Sequence, residues 1–142
     1  MDDTYVIQLD NGSDSAAIRA VQTGLSTYNL GFAPSDGYQP LNVFIRGRDG
    51  SVLGGLLGVN YWGWLHVDIL WLDERLRGQK LGSHLLNRAE EEAIQRGCRH
   101  VHLDTLDFQA LPFYQKRGYT LFGVLDDLPP GHQRFFLRKD LV

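Results

Sequence analysis

Cysteine is almost missing from this chain: Cys98 is the single one in 142 residues. No intrachain disulfide framework can form, and a reducing compartment, the cytoplasm, is the expected setting. A basic surplus is missing too. With 14 Lys and Arg against 17 Asp and Glu the formal net charge is −3, which excludes the profile of a general nucleic-acid binder. Any attraction for an anionic ligand must come from a local site. No apolar run approaches the length that spans a bilayer. The first 20 residues include Asp2, Asp3, Asp10 and Asp14 and lack the apolar segment of a secretory leader. Neither a nucleic acid nor a membrane is an expected partner. Repeats, low-complexity tracts and dividing linkers are lacking, so one domain over residues 1–142 is expected. Two phosphate loops are also missing. Gly-x-x-x-x-Gly-Lys-Ser/Thr fails because Lys80 is followed by Leu81, and Gly-x-Gly-x-x-Gly does not occur.

What is present alternates between two periodicities. Tyr5–Leu9 reads as a short first strand, and Ser13 and Asp14 as N-cap residues for a helix through Ile18, Val21 and Leu25. Leu41–Arg46 and Val52–Asn60 flank the turn dipeptide Asp49-Gly50, and a second turn at Trp62-Gly63 leads into Trp64–Leu72. That predicts an antiparallel meander of three strands. From Leu81 to Arg96 the period becomes helical, with Leu81, Leu85, Leu86, Ala89, Ala93 and Ile94 on one stripe and Gly97 as the stop. His100–Thr105 is a strand, Gln109–Arg117 a short helix, and Tyr119–Leu125 and Gln133–Leu137 the last strands. The order predicts a mixed α/β sheet of about seven strands with flanking helices.

The segment from Leu72 to Ser83 joins a strand to the strongest helix. A glycine-containing turn there exposes backbone N–H groups, and the helix start adds partial positive charge. Arg75, Arg77 and Lys80 supply the local charge that the whole chain lacks. Together these suit a diphosphate. The same segment also suits an ordinary strand-to-helix connection with solvated basic residues.

The run Arg77-Gly78-Gln79-Lys80-Leu81-Gly82 resembles the coenzyme A loop of the GNAT N-acetyltransferase family, Arg/Gln-x-x-Gly-x-Gly/Ala. Lys80 stands where a glycine is usual, and a side chain is tolerated there if φ is negative. A second run, Asp107 to Tyr119, is similar to the family's Asn-x-x-Ala-x-x-Phe-Tyr-x-x-x-Gly-Phe/Tyr. Ala110, Phe113, Tyr114, Gly118 and Tyr119 match, and Asp107 replaces the Asn. The likeness covers roughly residues 41 to 137.

The resemblance implies a sheet splayed between its fourth and fifth strands, Trp64–Leu72 and His100–Thr105, with acyl-coenzyme A in the gap. Acetyl-coenzyme A would be the cosubstrate, with no metal. Its pantetheine arm would pair with Leu70, Trp71 and Leu72, and a main-chain N–H there would polarise the thioester carbonyl. Its diphosphate would rest on Arg77, Gly78, Gln79, Lys80, Leu81, Gly82 and Ser83. Asp107, Ala110, Phe113 and Tyr114 would complete that wall, and Tyr114 would serve as general acid to the leaving thiolate. A base must free the attacking amine of its proton. By strand alternation His66 and Asp68 share a pleat face with Leu70 and Leu72; Asp68, His66 and Glu74 are the candidates. Tyr28, Asn29 and Phe32, with His132 in the loop Asp126–His132, would shape the acceptor pocket. A homodimer is compatible with this arrangement.

Other patterns carry less. His100, His102 and Asp104 alternate on one strand, a weak metal pattern that more often is structural. Cys98 reads as a small buried hydrophobe. Trp71 reads as core, while Tyr61, Trp62 and Trp64 stay open. Two rivals share the fold: a coenzyme A-binding regulatory module without turnover, and a structural domain that binds no such ligand.

Overall fold

The computed structural model describes residues 4–142, and the chain forms two compact units, residues 1–36 and 37–142. Asp2 and Asp3 lie outside the described residues. In the first unit Asp14 caps helix α1 (Ser15–Asn29), its side chain accepting from the Ala17 N–H at 3.0 Å. Asp10 braces the approach, accepting from the Gly12 N–H at 2.8 Å and the Ser13 hydroxyl at 3.0 Å. The strand expected over Tyr5–Leu9 does not form. That segment has no regular structure, and Val6 and Ile7 are 78% and 80% exposed. A strand is held by its ladder and its cross-strand neighbours, so alternation without a partner leaves only propensity.

The second unit is a six-stranded mixed sheet in the order β1-β2-β3-β4-β6-β5. Its strands are β1 (Gln39–Arg46), β2 (Val52–Tyr61), β3 (Trp64–Leu72), β4 (His100–Leu106), β5 (Thr120–Asp126) and β6 (Gln133–Asp140). A 3₁₀ turn (Glu74–Leu76) and helix α2 (Leu81–Gln95) connect β3 to β4, and the short helix α3 (Leu111–Lys116) follows β4. The β2–β3 hairpin closes through Trp62 and Gly63, at φ +46° and +78°, leaving Tyr61 opposite Trp64. Paired positive φ values match the twist of the flanking strands. Among the described residues no helix is long and apolar enough to cross a membrane.

The core lies on one face of the sheet, under α2. Leu85, Leu86, Ala89 and Ala93 of α2 are buried against Leu41, Leu56, Leu65, Val67, Val101, Leu103 and Leu137. Each large aliphatic side chain buried this way contributes roughly 1.5–3 kcal/mol. Ile94, expected on the same stripe, is exposed. Glu90 is buried too, and it accepts from the Tyr119 hydroxyl at 2.7 Å and from Lys139 Nζ at 2.9 Å. A buried carboxylate without such partners would cost several kcal/mol.

The seam between β3 and β4 positions the site. The two strands run parallel and pair only over Trp64–Val67 and His100–Leu103. Beyond that they part. At the same point β2–β3 pairing jumps from Gly58↔Val67 to Leu57↔Ile69, leaving Asp68 as an unopposed bulge residue. A bulge reverses which side chains face which way. Before it Leu65 and Val67 point to the core; after it Leu70 and Leu72 do. The expectation that His66 and Asp68 share a face with Leu70 and Leu72 is therefore corrected. Trp71, expected in the core, is turned outward and half exposed. Gly58 permits the close approach here, because a Cβ on it would lie 2.7 Å from the His66 carbonyl oxygen.

Candidate active site

The parted strand ends open a cavity of about 960 Å³. Its sides are Val67–Leu72 of β3 and Asp104–Leu106 of β4. One end is the loop into α2, where Arg77, Gly78, Lys80, Leu81, Gly82 and Ser83 line the wall. Phe113, Tyr114 and Arg117 of the α3 region close it, with Arg134 of β6. The unpaired edge of β3 is the stretch Asp68–Leu72, so this wall carries backbone groups with no β4 partner.

The loop reaches α2 through a left-handed residue. Lys80 is the N-cap at φ +62° and makes no side-chain cap, so the condition of a negative φ is not met. A Cβ in that region costs roughly 1–2 kcal/mol. The first-turn N–H groups of α2 are thus left open to the cavity, with the helix's positive end behind them. Of the three expected cations, Arg77 and Lys80 are in the wall and Arg75 is not. Arg75 pairs with Asp73 at 2.9 Å, and that bond holds the Asp73 carboxyl below its usual range. Gln79 also turns away, its amide donating to the Arg75 carbonyl at 3.4 Å.

Tyr114 is buried between two rings, Phe113 at 5.1 Å and Tyr119 at 5.6 Å. Burial, and then the negative charge of Asp104, push its hydroxyl up to about 12. At neutral pH it holds its proton. Its neighbour Arg117 stacks on Phe113 with 3.9 Å from guanidinium carbon to ring centroid. Arg117 also donates to the Phe113 carbonyl at 3.0 Å and to the Ser83 hydroxyl. The two sequence motifs, 30 residues apart, are joined through this one side chain.

Charged groups collect on the face of the sheet away from α2. Asp68 reaches the cavity from its bulge position. Asp104 and Arg134 pair at 3.2 Å, and both line the wall. Arg134 Nε is buried and has no acceptor among the described residues. A buried donor left unmade costs about 1–3 kcal/mol, so it calls for an explanation. Of the other base candidates, His66 stacks on His102 at 4.5 Å and does not line the cavity. Glu74 stays in the 3₁₀ turn, also off the wall. Asp104, Arg117 and Arg134 were not singled out as cleft residues from the sequence. For Asp104 alone there was a signal, its alternation with His100 and His102.

The remaining expected residues divide. Ala110 and Phe113 line the cavity, whereas Asp107 and His132, which bond each other at 2.9 Å, do not. Burial raises the Asp107 carboxyl, and the Gln133 N–H and His132 together more than offset that. In the first unit, Tyr28 and Phe32 stack at 5.2 Å and the Asn29 carbonyl accepts from the Phe32 N–H at 2.9 Å. His100, His102 and Asp104 do not converge: they engage Asp140 at 2.7 Å, Tyr61 at 3.4 Å and Arg134 respectively. Burial, and then His66, lower the His102 imidazole. Cys98 is buried, and burial pushes its thiol up.

This arrangement recurs in known proteins. The Acetyltransferase (GNAT) family matches residues 14–119. An acetyltransferase of Agrobacterium fabrum is 41% identical over 132 residues, covering 92% of this chain and 96% of that protein. Blasticidin-S acetyltransferase of Streptomyces morookaense is 40% identical over 139 residues, with 95% and 96% covered. The crystal structure of an acetyltransferase from Bacillus cereus superposes with a TM-score of 0.84 at 32% identity, over 94% of this chain and 97% of that one. These matches favour an enzyme over either rival that shares its fold. The chain belongs to the acetyltransferase (GNAT) family and is an acyltransferase.

Proposed function

We propose that the protein transfers the acetyl group of acetyl-coenzyme A to a primary amine of a small molecule, by direct attack in a ternary complex. The observation that carries this reading is the placement of protonated Tyr114 in a cavity whose other end is the uncapped start of α2. The residues present fit the cosubstrate. Open N–H groups and two cations suit a diphosphate, and the unpaired edge of β3 suits an extended amide-bearing arm. Acetyl-coenzyme A supplies the activated acyl group as a thioester.

The chain's own residues divide the remaining work. Arg77, Lys80 and the first turn of α2 hold the phosphates. Leu70, Trp71 and Leu72 offer backbone groups to the arm, and an N–H among them stabilises the oxyanion. Asp68 takes the proton that the amine loses as its nitrogen bonds to the acyl carbon. Tyr114 donates to the sulfur as the carbon–sulfur bond breaks. The small-molecule acceptor is supported by a relative 40% identical whose name specifies blasticidin-S as what it acetylates.

The test begins with thermal denaturation in acetyl-coenzyme A. A ligand at about 100 times its dissociation constant adds roughly 2.7 kcal/mol, a shift of several degrees. The expected result is that shift, reduced in an Arg77→Ala/Lys80→Ala variant, followed by thiol release with members of a primary amine panel. No shift would defeat the cosubstrate assignment. A shift without thiol release from any amine would defeat the transfer.

A further inference from the structure

Among the described residues, Arg134 Nε is the one buried side-chain nitrogen or oxygen without a hydrogen-bond partner. Register explains why. Across the β4–β6 ladder Arg134 stands opposite Leu106, while Asp104 stands opposite Phe136. Asp104 therefore meets the guanidinium from one pleat away and engages NH1 alone, at 3.2 Å. A guanidinium is a planar fork of five donors that matches a carboxylate through two parallel bonds. Here Nε has no partner among the described residues, and the side chain lines the cavity beside Tyr114 and Asp104. Asp68 lines the same cavity from β3. The wall thus offers an incompletely used cation and a carboxylate next to the proposed acid.

We infer that the acceptor is a zwitterion, an amine that also carries a carboxylate, and that Arg134 binds the carboxylate while Asp68 receives the amine. This rests on the acetyl-transfer reading and narrows it to amino acids and conjugates with a free carboxylate. Arg134 is then a specificity-determining residue. Asp104 is a positioning residue that holds the guanidinium by one corner and leaves its other side to substrate.

The experiment measures thiol release from acetyl-coenzyme A with pairs of primary amines that differ only at the carboxylate, an amino acid and its carboxamide. Wild type is expected to use the acid with kcat/KM about 10- to 100-fold above the amide, the range of a charged hydrogen bond. The amide has the less basic amine, so without Arg134 the preference runs the other way. Arg134→Gln is expected to bring the ratio to one or below by raising KM for the acid, and Arg134→Lys to restore part of the preference. A rise in melting temperature with acetyl-coenzyme A shows that each variant is folded, and the wild-type ratio stands even if one is not. Equal use of acid and amide by wild type overturns the inference and leaves the transfer reading intact. So does an equal loss on both amines in Arg134→Gln with a lowered melting temperature, the signature of a purely structural pair. Thiol release from no amine at all would defeat the transfer reading and this inference with it.

Discussion

The strand β3 has two halves that share one backbone and little else. Over Trp64–Val67 it is paired on both edges, to β2 and to β4, and its alternate residues Leu65 and Val67 are sealed in the core. After the bulge, over Ile69–Leu72, it keeps β2, loses β4 and turns Trp71 outward. Residue type does not separate the halves, since both are rich in apolar side chains. One bulge residue does. The difference teaches that the closed half is a hinge plate for the open half, and that the site is made by withholding a ladder more than by adding a loop.

The largest expected effect falls on the open half. Tyr114→Phe is expected to lower kcat about 100-fold or more with KM for acetyl-coenzyme A little changed, as for loss of a general acid. A kcat within about threefold of wild type would remove Tyr114 from the chemistry. The next effect is on stability at high pH. The Tyr114 hydroxyl titrates at about 12 in the fold against 10.0 when unperturbed. Its contribution is complete below pH 10 and is lost as pH rises from 10 toward 12, up to about 2.7 kcal/mol for two pKa units. Tyr119, raised further by burial and then by Glu90, adds a loss of the same sign. Tyr114→Phe should therefore shrink the fall in melting temperature between pH 9 and 11 without abolishing it; an unchanged fall would contradict the burial described.

Gly58→Ala tests the closed half. Its Cβ would meet two carbonyl oxygens, of His66 at 2.7 Å and Leu41 at 3.3 Å, and neither can swing aside. A loss of about 2 kcal/mol is expected in denaturant unfolding. A loss below half a kilocalorie would mean that the strands open more easily than the register suggests. The smallest effect has the opposite sign. Lys80→Gly should relieve the left-handed strain and raise stability by about 1 kcal/mol, a few degrees in melting temperature, while weakening acetyl-coenzyme A through the lost cation. Lower stability would show that the Lys80 side chain has a structural contact.

Much of this was legible in the residues, and the failures share a cause. The helix Leu81–Gln95 announced itself through its period, and its start through the glycines of the loop. The Trp62-Gly63 turn and the Tyr114 motif were equally local. The bulge was not, because no Gly or Pro marks Asp68 and its only signature is a register with β2. That register hid the outward turn of Trp71 and the separation of His66 from Leu70. The Asp104–Arg134 pair spans 30 residues and depends on β6 lying beside β4. Tyr5–Leu9 failed for the opposite reason, since its pattern was present and its ladder was not.

Arg117 gives the site a thermodynamic connection. One side chain touches Ser83 in the first turn of α2 and Phe113 in α3, the residue beside Tyr114. A ligand that competes for Arg117 at Ser83 alters the free energy with which α3 holds its place. By reciprocity, a change in α3 alters that ligand's affinity by the same factor. Occupancy of the loop and the seating of Phe113 are then coupled through one side chain, and substitutions at Ser83 are expected to change how firmly α3 is held.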